Sequence, residues 1–318
     1  MTTNLTRNIQ CAALSKALPN EVFSPASDNA TYSLLNDNRW SKTTVLTPNC
    51  IFEPSSPDHV SKGVKVLVKN SCKFAIKGGG HNPLPGANNI NGGVSVDLNL
   101  LNSTALSADR TFVSLGAGGH WGGAYDAFAS DGVIFPGGLC GGTGVGGVSI
   151  GGGESYLQPR VGWAVDNVLN YEVVLASGQI VNANQMSHPD LYKALKGGGS
   201  NFGIVTRVDS AVVEEANIWA GQVINPGLPT TLEATLKATV DFTTAANINP
   251  NVGAQVVLTF SKGVPTIISS IASTDNTVNA SALQPFLAIE PQIANTVHSR
   301  TLSDVVHELD TNQNSTYR

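Results

Sequence analysis

Residues 132–153 read GVIFPGGLCGGTGVGGVSIGGG: eleven glycines in twenty-two positions, around the single cysteine Cys140. A run so poor in side chains builds no core of its own; it brings bare backbone close to something. Within it, residues 142–147 form G-x-G-x-x-G, the pattern of a nicotinamide-dinucleotide turn. That turn needs a hydrophobic strand before it and a helix after it. Here Pro136-Gly137-Gly138 precedes, and Gly151, Gly152 and Gly153 are expected to break the following helix. The spacing therefore argues against that fold. Cys140, flanked by Leu139 and glycines, is either a thiol open to a cofactor or a small buried apolar residue. No second Cys or His lies within several residues of it, so no metal site is expected.

Outward from this run, glycine gathers again at FAIKGGGHNP (residues 74–83) and around residues 197–203. Phe74 to Lys77 is a short strand that runs into Gly78, Gly79, Gly80, His81 and Asn82. Three consecutive glycines at a strand end expose backbone N–H groups in one concavity, which suits a phosphate anion; the plain alternative is a glycine-rich turn with a solvent-facing histidine.

The rest of the chain sets the frame. Hydrophobic residues at 41% and charged residues at 13% exclude a disordered chain. A net charge of −5 without a basic run gives neither nucleic acid nor an anionic membrane a footprint, and no run of eighteen apolar residues spans a bilayer. Met1 to Ile9 is polar and holds no export signal, although Asn4, Asn29, Asn102, Asn279 and Asn314 stand in Asn-x-Ser/Thr sequons.

Residues 1–44 are expected as an arm with one helical stretch. From residue 45 the pattern becomes strand (Val45 to Glu53), helix and strand. Ser56-Pro57-Asp58 starts the helix well, and Val60, Val64, Leu67 and Val68 share one face. Further strands are expected at Val94 to Leu98, Thr111 to Leu115, Asn167 to Ala176, Gln179 to Ala183 and Gly203 to Val213, with short helices at Trp121 to Ser130 and Pro189 to Lys196. Beyond about residue 215 the elements lengthen: a helix from Leu228 to Ala245, paired strands at Ala254 to Ser261 and Thr266 to Ser273, and a helix from Thr301 to Leu309. Domains are therefore expected at 45–214 and 215–318. Cys50 and Cys72 flank the first helix on what the pattern makes neighbouring strands. A bridge between them would stabilise by about 3 kcal/mol, with two buried free thiols as the alternative; Cys11 has no obvious partner.

Five ordered stretches carry a resemblance: residues 46–67 (LTPNCIFEPSSPDHVSKGVKVL), 74–83, 132–153, 166–181 (DNVLNYEVVLASGQIV) and 190–206 (DLYKALKGGGSNFGIVT). Over roughly residues 40–210 the chain resembles the berberine-bridge-enzyme-like branch of the vanillyl-alcohol-oxidase family. The resemblance implies an α+β fold: a PCMH-type, two-lobed FAD-binding domain, followed here by an incomplete α+β substrate domain. It implies FAD bound twice covalently, through His81 and Cys140. It assigns the amides of Gly78, Gly79, Gly80, His81 and Asn82 to the pyrophosphate, Thr143, Gly144, Val145, Gly146 and Gly147 to the flavin ring, and Gly203, Ile204 and Val205 to closure over the cofactor.

The sequence departs from the family at Val148, where His is usual, and at Lys193, where an aromatic is common. Thr143 stands at the position that governs oxygen access, and its Val-like size implies an oxidase. The implied reaction takes hydride from a C–H beside an alcohol or amine of an oligosaccharide or secondary metabolite, with dioxygen as acceptor. The family's catalytic base is expected beyond Arg318, so the alternative is an FAD-binding remnant without turnover. Tyr156, Tyr171 and His120 are candidates for a base by residue type alone, and the context of Tyr317 does not match. The resemblance further implies a secreted monomer, with an intracellular location as the alternative.

Overall fold

The computed structural model describes residues 11–214, 217–245, 249–261 and 263–313. Asn4, Asn314 and Tyr317 lie outside them. Among the described residues, three larger sheets and one two-stranded sheet, with helices packed on them, make an α+β fold.

The first sheet comprises β1 (Val22–Phe23), β2 (Cys50–Phe52), β3 (Phe74–Lys77) and β4 (Val94–Asp97), in the order β1-β2-β4-β3. β2 and β3 both run parallel to β4. The helix Pro57–Lys69 makes the crossover, with Ser56 capping the N–H of His59. Val60, Val64 and Leu67 are buried as the spacing predicts, but Val68 is 51% exposed and belongs to the outer face. The expected strand from Val45 shrinks to three residues. Pro48 cannot donate to a ladder, and Thr47 and Asn49 instead bond the loop at Asn91 and Gly93.

This strand order overturns the expected Cys50–Cys72 bridge. β4 lies between β2 and β3, and the register runs Cys50↔Val94↔Phe74. Two strand spacings, roughly 9–10 Å, separate the rows, beyond the reach of a disulfide. The bridge is Cys11–Cys50, and Cys72 is a buried free thiol. Residues 11–17 are helical and set Leu14 and Leu18 into the same apolar cluster as Cys50.

The second sheet is antiparallel: β5 (Thr104–Leu106), β6 (Phe112–Gly116), β8 (Val168–Val174), β9 (Ile180–Ala183) and β10 (Ile204–Ala211), in the order β5-β6-β10-β8-β9. Gly178, at φ 78°, turns the chain from β8 to β9. β7 (Val133–Ile134) pairs only with β11 (Val213–Glu214) among the described residues. A third sheet holds β12 (Ile218–Pro226), β13 (Val252–Ser261), β14 (Val264–Ser273), β15 (Ala294–Asn295) and β16 (His298–Arg300). β13 and β14 form the expected hairpin, and the helix Pro229–Thr244 agrees with its reading within a residue at each end.

After Thr143 the glycine-rich run forms a short helix, which breaks at the glycines expected to break it. Val145–Gly151 is a helix, ended by Gly152 at φ 130° and Gly153 at φ 80°. Packing overrides poor propensity here: Val145 and Ser149 are buried, and a Cβ on Gly146 would lie 2.7 Å from the Ala117 carbonyl oxygen. The preceding strand is the two-residue β7, so the G-x-G-x-x-G still lacks a β-α-β setting.

An aromatic core cluster packs between the second sheet and the third. Trp121, Tyr125, Phe128 and Phe135 share a core cluster with Ile218, Ala272, Leu302, Val305 and Val306. Through it the helix Leu302–Gln313 is seated on the short helix Trp121–Asp126, which stops four residues sooner than its pattern suggests.

Candidate functional site

β3 delivers the first glycine loop and the Thr143–Gly144 turn delivers the second, and the two meet backbone to backbone. A Cβ on Gly79 would lie 2.4 Å from Gly144 Cα, and one on Gly144 would lie 2.3 Å from Gly79 N. Neither position tolerates a side chain, because backbone on the far side cannot move aside cheaply. Two loops sixty-five residues apart in sequence thus form one continuous ridge of bare backbone.

His120 clasps this ridge. Its backbone bridges Gly144, and its ring hydrogen-bonds the Gly79 backbone. Burial, then the nearby Lys77 ammonium, lower its pKa below 6.5, while the Gly79 bond, Asp310 and Asp97 act in the opposite direction. By residue type His120 is a candidate base; the sequence signal for its place in the fold is Gly118-Gly119 before it.

His81 and Cys140 flank the contact, His81 two residues from Gly79 and Cys140 four from Gly144. His81 is half-buried and stacks on Trp40, with ring centroids 4.8 Å apart, and Trp40 N–H donates to the Gly80 carbonyl. Cys140 is half-buried and outside any disulfide. Its turn is closed by the Thr143 hydroxyl, which donates to the Cys140 carbonyl at 2.6 Å. Asn82 is exposed, and its Oδ1 accepts from Leu84 N–H, which builds the bend after His81.

Under the first loop, β3 and β4 place Lys77 opposite Asp97, and their side chains pair at 2.9 Å with both residues essentially inaccessible. Arg39 lies alongside, bonded to Asn88 and Ser95, and burial pushes its guanidinium down to about 10. Glu53 is raised by burial and by the Asp97 charge. This buried cluster gives the loop a rigid, charged floor.

Gly203, Ile204 and Val205 are not brought to the loop contact through their side chains. Ile204 and Val205 are buried in two different apolar clusters on β10. Their link runs along the backbone: Thr206 accepts from Ala117 N–H, and Ala117 accepts from Gly146 N–H. Val145, assigned to the flavin ring, is likewise in the core at 1% exposure. Tyr171 is fully buried and donates to the Ser149 carbonyl at 2.7 Å. Burial raises the pKa of both Tyr156 and Tyr171, so neither supplies a base near neutral pH.

Beside the clasp opens a cleft of about 280 Å³, lined by Asn99, Asn102, Gly118, Gly119, His120 and Gly123 among others. The residues present fit a flavin nucleotide. The glycine ridge allows close approach, and a histidine and a cysteine outside any disulfide, both partly accessible, lie within four residues of it along the chain.

Comparison with known proteins points to the same cofactor. Residues 48–184 match the FAD binding domain family. The chain is 40% identical over 216 residues to the FAD-dependent monooxygenase tpcD of Cochliobolus heterostrophus, covering 68% of this chain and 42% of that protein. It is 33% identical over 314 residues to the FAD-dependent monooxygenase drtC of Aspergillus calidoustus, covering 96% of this chain and 58% of that one. The chain thus spans about half the length of these relatives. Among solved structures, 6-hydroxy-D-nicotine oxidase from Arthrobacter nicotinovorans superimposes with a TM-score of 0.81 at 24% identity, over 92% of this chain and 64% of that one, which shows a shared fold. Residues 48–184 are an FAD-binding domain, and the relatives that match across it are FAD-dependent oxidoreductases.

Proposed function

We propose that this chain is the cofactor-binding part of an FAD-linked oxidase in which His81 and Cys140 both bond to the flavin. The observation that carries the reading is the Gly79–Gly144 contact, with a histidine two residues from one glycine and a cysteine outside any disulfide four residues from the other. Attachment at either residue would exchange a hydrogen on the protein atom (His81 N–H or Cys140 S–H) and one on a cofactor carbon for a new bond, with dioxygen taking up both hydrogens and the electron pair as hydrogen peroxide.

Bound FAD supplies a two-electron acceptor for a substrate C–H. The protein's contribution is positional. The ridge carries the phosphates without side-chain interference, Trp40 holds the His81 ring by stacking, and the Thr143 hydroxyl closes the turn that presents Cys140. The substrate reading is a small molecule with an alcohol or amine beside the oxidised carbon, of the oligosaccharide or secondary-metabolite kind. The Cys11–Cys50 bridge supports a location in an oxidising, secretory compartment, where exposed Asn29, Asn102 and Asn279 would meet the glycosylation machinery.

A second reading follows from the names of the relatives, which describe oxygen insertion. An oxidase removes two hydrogens from its substrate and releases one hydrogen peroxide. A monooxygenase adds one oxygen atom, releases water and consumes an external hydride donor. Product mass and peroxide yield on a panel of small alcohols and amines separate them. A loss of two mass units with equimolar peroxide supports the oxidase, and a gain of sixteen with consumption of reduced nicotinamide overturns it. The attachment itself is checked by intact mass after denaturation. One FAD should remain on the wild-type chain and none on a His81→Ala, Cys140→Ala double variant; retention by the double variant would refute the assignment.

A further inference from the structure

The Cys140 turn is held from outside the FAD-binding domain. Asp310, on the helix Leu302–Gln313, accepts a hydrogen bond from Gly142 N–H at 2.8 Å. One turn earlier on the same helix, the Val306 carbonyl accepts from Gly141 N–H at 3.3 Å. The opposite side of the turn is fixed by the helix Trp121–Asp126, whose Gly122 N–H donates to the Gly141 carbonyl at 2.9 Å and Trp121 N–H to Thr143 at 3.0 Å. Packing is close: a Cβ on Gly141 would lie 2.4 Å from an Asp310 carboxylate oxygen and would displace that carboxylate.

His307 braces the same helix against the FAD-binding side. Its Nε2 lies 3.0 Å from both Asp126 carboxylate oxygens, and its Nδ1 lies 3.8 Å from Asp310. Ser303 also donates to Asp126. The carboxylate on Gly142 is therefore not a chance surface contact; its helix is anchored at three places along one face.

We propose that Asp310 is a positioning residue for Cys140: by accepting from Gly142 N–H it fixes the turn at residues 140–143 and so the direction in which the thiol is presented. A charge-assisted bond to a backbone N–H is among the stronger ways to hold the Gly141–Gly142 centre of the turn, which the Thr143 hydroxyl closes only at its ends. The consequence is a dependence of cofactor attachment at Cys140, but not at His81, on a helix more than 160 residues further along the chain. The inference rests on reading Cys140 as a flavin attachment point.

Peptide mass mapping of the FAD-loaded protein tests it, with the His81 peptide as internal reference. Asp310→Ala should lower the flavin-bearing share of the Cys140 peptide by about ten-fold, the effect of losing one such bond, with the His81 peptide unchanged. Asp310→Asn keeps an acceptor oxygen and should retain most of the attachment. Wild-type levels at Cys140 in Asp310→Ala would overturn the proposal, and so would equal loss at both peptides, which would mark Asp310 as a folding residue. Should wild-type protein carry no flavin on Cys140, the attachment reading fails separately. The rate of Cys140 alkylation by iodoacetamide then decides. Asp310→Ala should change it by about ten-fold without altering Cys72, and an unchanged rate would refute the positioning role.

Discussion

At the scale of single residues, His120 shows how burial and hydrogen bonding set a protonation state. Its ring is held neutral by its surroundings, and neutrality matters because a charged ring beside Lys77 would push against the loop it clasps. The folded-state pKa lies below 6.5, so above that pH the ring is neutral in folded and unfolded chain alike and its contribution is complete. As pH falls below 6.5 the unfolded chain protonates first, and stability is lost until the folded ring's own lower pKa is passed. Thermal melts from pH 8 down to pH 5 should show a falling acid limb in the wild type. His120→Asn keeps a donor without a titration and should flatten that limb; an unaltered slope would show that other groups carry it. In the sequence only its place after Gly118-Gly119 sets this histidine apart from a surface one, because its burial depends on two loops meeting that are remote in the chain.

At the scale of elements, the ridge makes a sharper demand. Gly144→Ala places a Cβ 2.3 Å from Gly79 N, so the loops must part by roughly 1 Å to reach ordinary contact. We expect a loss of about 1–3 kcal/mol and most of the bound FAD, measured by denaturant unfolding and by absorbance of the purified protein. Gly147→Ala, with nothing within 4 Å in the same helix, should instead stabilise by about 0.5–1 kcal/mol. Equal effects would show that glycine matters here for flexibility rather than for space. The elements themselves were largely legible where periodicity was strong, as in the capped helix Pro57–Lys69 and the β13–β14 hairpin. The helix Val145–Gly151 was not, since its glycines argue against it and only its seat on Ala117 makes them an advantage. Likewise His81 and Cys140 were legible as residues of interest from their glycine contexts, whereas Asp310 was not. Its relevance depends on a contact 168 residues away in sequence.

At the scale of the whole molecule, the cross-link is where local pattern failed and topology decided. A β-α-β unit invites the assumption that its two strands are adjacent, but the chain inserts β4 between them. Cys50 then faces the N-terminal helical stretch, and Cys11 becomes its partner across 39 residues. Closing a loop of that length stabilises by about 4 kcal/mol on the chain-entropy model, against about 3 kcal/mol for the shorter loop first expected. The bridge also fastens Leu14 and Leu18 onto the sheet that carries the His81 loop, so its loss should be felt beyond the first residues. Cys11→Ser should cost about 2–5 kcal/mol in denaturant unfolding, and dithiothreitol should destabilise the wild type but not that variant. Cys72→Ser should leave the response to dithiothreitol intact. If instead Cys72→Ser abolished that response, the pairing would be Cys50–Cys72 and β4 could not lie between its strands.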